Sequence, residues 1–94
     1  MRDEFELADE SFVTELLEQV RKARQKFPQP NPTVAALTEE VGELSQALLH
    51  IREGKHADWW RVWNEAVQVA CMALRAATEG DPTIGAVPTR ENTQ

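Results

Sequence analysis

The chain has 94 residues, of which 41% are hydrophobic, and it contains a single cysteine. One cysteine, Cys71, excludes an intramolecular disulfide and a zinc site built on several thiolates. No run of about 18 apolar residues is present, and residues 1–12 are acidic, which argues against a membrane span and a signal peptide. We therefore expect one small soluble domain in the cytoplasm that does not associate with a membrane.

The charge balance limits the partners that the chain can bind. Sixteen acidic residues against ten lysines and arginines give a formal net charge of −6. Such a chain repels the phosphate backbone of nucleic acids unless its cations are clustered. The only local group of cations, at residues 21–26, lies close to Glu15 and Glu18, so we expect no nucleic-acid polymer as a partner. A small anionic substrate would need a metal cation as a bridge.

The spacing of apolar residues predicts a first helix over residues 11–27. These residues recur every three or four positions and form one helical face. Ser11 or Asp9 is placed to cap the start of this helix. Three prolines between residues 28 and 32 end it, because a residue that precedes proline disfavours the helical conformation.

A second helix is predicted over residues 32–52, with Asn31 as its N-cap and Pro32 at its first position. Apolar residues at alternating spacings of three and four form one stripe along it. Beside that stripe, Glu40 and Glu43 share a line with two alanines. Small neighbours allow another helix to approach the two carboxylates.

The third predicted helix covers residues 58–79, with Asp58 as its N-cap, and its apolar residues cover more than half of its circumference. No segment alternates like a β-strand, so we expect an all-α fold. We assign residues 1–80 to one helical domain and residues 81–94 to an irregular tail. The surplus apolar surface predicts that homo-oligomerisation, as a homodimer or homotetramer, completes a four-helix bundle.

Three acidic residues of the second helix, Glu39, Glu40 and Glu43, lie within an arc of about 100°. Glu40 and Glu43 are one turn apart, and like charges at this distance destabilise a helix unless something offsets them. A divalent cation that prefers oxygen ligands, Mg²⁺ or Mn²⁺, would do so. The alternative is a solvated acidic face with no ligand.

Glu65 and Gln68 repeat this spacing on the third helix. In an antiparallel hairpin centred near residue 54, Glu43 lies 11 residues before the centre and Glu65 lies 11 residues after it. The two pairs are therefore expected to face each other. His50 lies near the turn of the hairpin, and we expect it to be a surface residue away from the carboxylates.

The segments TVAALTEEVGELSQALL and NEAVQVACMALRAA resemble the MazG-like, all-α nucleoside triphosphate pyrophosphohydrolases, whose signature is EExxE followed after a spacer by ExxD. The segment KFPQPNP is similar to the connection between the first two helices of that family. The resemblance covers residues 12–80. Phosphoribosyl-ATP pyrophosphohydrolases share this architecture and are an alternative.

The resemblance implies hydrolysis of a ribo- or deoxyribonucleoside triphosphate, (d)NTP, to the monophosphate and pyrophosphate with Mg²⁺ or Mn²⁺. It makes Glu40, Glu43 and Glu65 metal ligands and places Gln68 at the aspartate of the signature. An amide oxygen can coordinate a hard cation but adds no negative charge. A catalytically weakened module for nucleotide binding or oligomerisation is therefore a second interpretation, and a purely structural helical dimer is a third.

The remaining candidate residues concern the water, the phosphates and the base. Glu39 matches the leading glutamate of the signature, and we assign it to orienting or deprotonating the attacking water. Side chains that would hold the triphosphate are Arg61 and Arg75, with Lys26 as a weaker candidate, although exposed arginines on a helix face explain the first two equally well.

The tryptophans and Phe27 are the candidates for contacts with the base. Trp59 and Trp63 share a helical face and are expected in the core or in a dimer interface, whereas Trp60 projects elsewhere as an exposed indole. We expect Trp60 or Trp63 to stack on the base. Phe27 is mostly a core residue in this interpretation but borders the same loop.

Overall fold

Three helices make up the computed structural model, which describes residues 3–55 and 58–89 of the chain. The helices are α1 (Glu4–Lys26), α2 (Thr33–Arg52) and α3 (Trp59–Glu79), and a 3-10 turn follows at Pro82–Ile84. No strand occurs in these two ranges, so the all-α prediction is confirmed. The ends of the predicted domain and tail, at residues 1–2 and 90–94, lie outside the described residues.

Helix α1 begins seven residues earlier than the sequence pattern predicts, at Glu4 instead of residue 11. The predicted caps, Asp9 and Ser11, are therefore wrong, since both lie inside the helix. Asp3 is the N-cap, and its carboxylate accepts a hydrogen bond from the backbone N–H of Glu6 at 2.8 Å. The added turns contain good helix formers, and acidic residues in the first turn interact favourably with the helix dipole.

A residue distant in sequence caps the start of α2. The predicted cap was wrong: Pro32, rather than Asn31, occupies the N-cap position and offers no capping side chain. Instead, the carboxylate of Asp81 accepts a hydrogen bond from the backbone N–H of Val34 at 3.0 Å. The chain beyond α3 therefore supplies the acceptor that the start of α2 lacks.

The segment after α3 folds back at Gly80, whose φ of +70° lies in the left-handed region that favours glycine. A Cβ at this position would clash with the carbonyl oxygen of Ala86. The carbonyl of Gly80 accepts a hydrogen bond from the hydroxyl of Thr33 at 2.9 Å. Backbone hydrogen bonds between Asp81 and Ala86 close the turn and leave Asp81 only 2% exposed.

Helix α3 lies between the other two. Its predicted start is confirmed, because the carboxylate of Asp58 accepts a hydrogen bond from the N–H of Trp60 at 2.9 Å. Helices α1 and α2 each pack on α3 and, within the described residues, not on each other. The broad apolar surface of α3 is thus covered from two sides. None of the helices described is long and apolar enough to cross a membrane.

The single chain leaves many large apolar side chains exposed to solvent. Its Cα radius of gyration is 15.3 Å, whereas a compact domain of this length has about 12 Å. The buried apolar residues are Val20, Ala47, Val62, Val67 and Cys71. The exposed ones include Phe5, Leu7, Val13 and Leu17 on α1, Val34, Val41, Leu48, Leu49 and Ile51 on α2, and Trp59 and Trp60 on α3. The core of one chain is therefore small.

A buried ion pair fixes the end of α3 to the exit of α1. Arg75 donates hydrogen bonds to both carboxylate oxygens of Glu79, at 2.9 and 2.8 Å, and one to the carbonyl of Phe27 at 2.7 Å. Glu79 also accepts from Arg24 at 2.8 Å and from Gln29 at 3.0 Å. These hydrogen bonds, led by that from Arg75, lower the pKa of Glu79 from 4.5 to about 2.

We expect this network to make the free energy of unfolding decrease as the pH is lowered. Because the pKa of Glu79 is lower in the folded state, its contribution is complete above about pH 4.5 and is lost as the pH falls towards 2. The shift corresponds to a stabilisation on the order of 3 kcal/mol. Urea unfolding of Glu79→Gln at pH 7 should show a loss of that order. Exposed Glu18→Gln is the control, and equal stability of the two variants would contradict the assignment.

Candidate metal centre and adjoining cavity

The antiparallel pairing of α2 and α3 brings three carboxylates together. Glu40 and Glu43 extend from α2 and Glu65 from α3, and one oxygen of each lies within 4.8 Å of the others. All three residues are half-buried. Glu65 therefore lies opposite Glu43, as the register of the predicted hairpin requires. Ala47, one turn beyond Glu43, is buried, and its small side chain permits this close approach of the helices.

Two carboxylates of the cluster, those of Glu40 and Glu65, have raised pKa values. Burial, followed by the charges of Glu43 and Glu65, raises the pKa of Glu40. Burial and the hydrogen bond and charge of Glu43 likewise raise the pKa of Glu65, while the charge of Arg61 opposes this rise. At neutral pH the cluster therefore destabilises the fold unless a proton or a cation neutralises part of its charge.

The donor set fits a hard divalent cation. It consists of carboxylate oxygens alone, without a thiolate or an imidazole, and such ligands suit Mg²⁺ and Mn²⁺. The ion pairs in which both members are described residues use other carboxylates, those of Glu53 and Glu79. No lysine or arginine within the described ranges therefore neutralises the cluster by direct contact.

Gln68 and Glu39 flank the three carboxylates in different ways. Gln68 is half-buried one turn after Glu65, and together with Glu40 it lines a cavity of about 320 Å³. The side chain of Glu39 is exposed on the solvent side of α2. Gln68 therefore shares a cavity with Glu40 of the cluster, and the exposed Glu39 is the neighbour of Glu40 in sequence.

Phe27 borders the same cavity from the exit of α1. Its prediction as a core residue is wrong, because 54% of its surface is exposed. The helix has already ended here: the Phe27 backbone is non-helical, with φ −128° and ψ 76°. The ammonium of exposed Lys26 lies 5.4 Å from the centre of the Phe27 ring. The cavity thus has an aromatic edge with a cation beside it.

Arg75 also borders the cavity but serves a structural role. The prediction of an exposed arginine is wrong, because Arg75 is only 1% exposed. Its guanidinium is bound by Glu79 and by carbonyl oxygens at the exit of α1. The charge is neutralised by Glu79 and four of the five N–H donors are occupied, which contradicts the assignment of Arg75 to the triphosphate. The sequence pattern placed it on a polar strip and gave no sign of its partner.

Arg61, by contrast, lies beside the carboxylates and is held from α2. Its guanidinium contacts Nδ1 of His50 at 2.9 Å and donates to the side-chain oxygen of Gln46 at 3.3 Å. His50, which was predicted to be a surface residue away from the carboxylates, is half-buried and makes this contact with Arg61. The hairpin register that pairs Glu43 with Glu65 also places Arg61 opposite His50 and Gln46. This register was the sequence signal from which the contacts of Arg61 could have been predicted.

The tryptophans lie on another side of α3. Trp63 packs edge-on against Phe12, with ring centres 5.4 Å apart, and its indole N–H donates to Glu15. It therefore faces α1, whereas Glu65, two residues or about 200° further around the helix, faces α2. Trp60 is 61% exposed, as its predicted position implies. Within one chain, the structure does not bring the Trp60 and Trp63 indoles together with the carboxylates.

Trp59 is 63% exposed and so is not a core residue of the single chain. The three indoles instead line a second cavity, of about 610 Å³, between α3 and the first half of α1. Its walls are mainly apolar side chains, with the carboxylates of Glu15 and Asp58 among them.

Comparisons with known proteins provide no relative of this chain: no family model, curated protein or solved structure matches it. The resemblance to MazG-like enzymes therefore stays a prediction from the sequence motifs. The geometry of the carboxylates is an independent observation on the same residues.

The charge repulsion in the cluster leads to a stability prediction. We expect Glu40→Gln to raise the unfolding midpoint of the metal-free protein by about 2 to 6 °C, because it removes one of three clustered charges. The same substitution should reduce the stabilisation that Mn²⁺ or Mg²⁺ gives the unaltered protein.

Thermal unfolding with and without the metal would measure both effects. Glu18→Gln is the control, because it removes an exposed charge of α1 outside the cluster, and it should change neither quantity appreciably. A lower midpoint for metal-free Glu40→Gln would show that the carboxylates do not repel one another as described.

Proposed function

We propose that this protein is a Mg²⁺- or Mn²⁺-dependent pyrophosphohydrolase of the MazG-like type, which converts a (d)NTP to the (d)NMP and pyrophosphate. One observation supports this most: carboxylates at three positions of the EExxE and ExxD motifs lie within 4.8 Å of one another across two helices. A net charge of −6 otherwise opposes the binding of a triphosphate.

Glu40, Glu43 and Glu65 would hold the cation, and the amide oxygen of Gln68 would add an uncharged ligand. A cation held there would neutralise phosphate charge and polarise the phosphorus that is attacked. Glu39 orients a water molecule and accepts its proton as a general base. The water oxygen then attacks the α-phosphorus, the bond to the β-phosphate breaks, and pyrophosphate leaves.

The cavity of about 320 Å³ beside Glu40 is the proposed site for the nucleoside. Its size lies at the lower end of the range for ligand cavities in proteins. The exposed ring of Phe27 offers a stacking surface at its edge, and Lys26 adds a positive charge there. This arrangement favours Phe27 over Trp60 and Trp63 as the aromatic residue that meets the base within one chain.

The exposed apolar surface supports the proposal that the protein acts as a homodimer or homotetramer. Large apolar side chains line α1 and α2 on sides that α3 does not cover, and a second copy would bury them as a helical bundle does. We place the protein in the cytoplasm, where nucleoside triphosphates are present, without a nucleic-acid or membrane partner.

Gln68 favours a second candidate function, a catalytically weakened module that binds nucleotides. A neutral amide occupies the position at which the ExxD motif has a carboxylate. The site therefore has one negative charge fewer than a site with the complete motif. A phosphoribosyl-ATP pyrophosphohydrolase is a further alternative, because those enzymes share the same helical architecture. Binding of a nucleotide without turnover would favour the module.

An assay of pyrophosphate release tests the main proposal. With Mg²⁺ or Mn²⁺, at least one (d)NTP should be hydrolysed, and Glu43→Gln should lower kcat/KM about 100-fold or more, because a ligand of the cation is lost. Glu53→Gln, just beyond the end of α2, is the matched control. Circular dichroism should show unchanged helicity in both variants. Full turnover by Glu43→Gln would contradict the assigned site.

Gln68 allows a test in the opposite direction. Gln68→Asp should raise the affinity for Mg²⁺ about three- to tenfold, because it adds a negative charge beside the cluster. In Gln68→Asn the side chain has the shape of aspartate without its charge, so the affinity for Mg²⁺ should not rise. Calorimetric titration with Mg²⁺ would compare the three proteins. Equal affinities would mean that position 68 does not contribute to the metal centre.

A further inference from the structure

The two arginines of α3 have different kinds of partner. Arg75 is neutralised by Glu79, whereas Arg61 makes its hydrogen bonds to an imidazole and an amide. Neither His50 as an acceptor nor Gln46 carries a negative charge. Among the described residues Arg61 takes part in no ion pair. The Arg61 guanidinium is therefore held in place while its charge stays uncompensated by direct contact.

The chemistry of the contact fixes the state of His50. A guanidinium is always a donor, so Nδ1 of His50 must accept the hydrogen bond. The imidazole is then neutral and carries its proton on Nε2. Gln46 lies one turn away on the same face of α2 and accepts from the other terminal nitrogen of Arg61. Two neutral acceptors on α2 thus hydrogen-bond to both terminal nitrogens of the Arg61 guanidinium.

The guanidinium of Arg61 lies close enough to the carboxylate cluster for its charge to act on Glu65. Arg61 precedes Glu65 by one turn of α3, and its charge counteracts the rise in the pKa of Glu65. The guanidinium has five N–H groups, and two of its three nitrogens are engaged by α2. The remaining donors are available to an anion at the edge of the cluster. Arg61 is half-buried, so solvent does not fully screen this charge.

We propose that His50, assisted by Gln46, is a positioning residue that holds Arg61 ready for the phosphate chain of the nucleotide. This inference rests on the function proposed above for the carboxylate site. A free arginine loses side-chain freedom when it binds phosphate, and an arginine held beforehand loses less. His50 therefore acts on substrate affinity through Arg61 and touches no reacting atom.

Kinetics of three His50 variants test this role. His50→Ala should raise KM for the nucleotide about five- to tenfold while kcat changes less than about twofold, because binding rather than chemistry is impaired. In His50→Asn, Oδ1 takes the place of Nδ1 and should restore KM to within about twofold. In His50→Gln, the acceptor lies one bond further out and should not restore it.

A measurement without turnover separates this inference from the proposed function. Calorimetry with inorganic tripolyphosphate and Mg²⁺ would give the affinity of the unaltered protein, His50→Ala, Arg61→Ala and the double variant. If His50 acts through Arg61, the double variant should bind no more weakly than Arg61→Ala alone. Thermal unfolding would confirm that each variant is folded.

The outcomes distinguish the two proposals. Turnover by the unaltered protein with an unchanged KM in His50→Ala would overturn the role of His50 and leave the enzyme intact. Weaker tripolyphosphate binding in His50→Ala, without turnover of any nucleotide by the unaltered protein, would overturn the enzyme but retain the anion site. Additive losses in the double variant, or no rescue by His50→Asn, would show that His50 has only a structural role.

Discussion

The candidate site depends on the mutual repulsion of three carboxylates that the packing of α2 on α3 forces together. The small side chain of Ala47, buried where α2 packs on α3, lets the helices approach closely enough for Glu40, Glu43 and Glu65 to meet. The single chain buries few apolar side chains. Charge repulsion therefore takes away a large part of its free energy of unfolding. A local cost of this kind is typical of functional sites, where binding of a ligand offsets it.

The two arginines of α3, Arg75 and Arg61, differ in whether their charge is neutralised by a partner within the chain. At the C-terminal end of α3, Arg75 and Glu79 neutralise each other and tie the exit of α1 to α3. Near its N-terminal end, Arg61 hydrogen-bonds only to neutral side chains among the residues that the structure describes, and it lies beside acidic groups. A buried charge with a tight partner is unavailable to a ligand, whereas a charge held by neutral acceptors retains its field.

Features set by local pattern were predictable from the sequence, and features set by distant contacts were not. The hairpin register follows from helical periodicity, and the start of α3 from Asp58. The cap of α2 comes from Asp81, 47 residues after Val34, so no local signal at Asn31 or Pro32 revealed it. A polar strip likewise shows which side of α3 Arg75 occupies but not that Glu79 and the exit of α1 would bury it.

The arrangement of aromatic and acidic residues argues that the two sides of α3 serve different purposes. The carboxylates and Arg61 face α2, whereas Trp63 faces α1 through Phe12 and Glu15. Exposed indoles beside a mainly apolar cavity would lose much unfavourable hydration on contact with another protein surface. The side towards α2 offers charge to a ligand. We therefore propose that the aromatic side serves assembly and the acidic side serves chemistry, an arrangement in which oligomerisation would bury the aromatic side without covering the carboxylates.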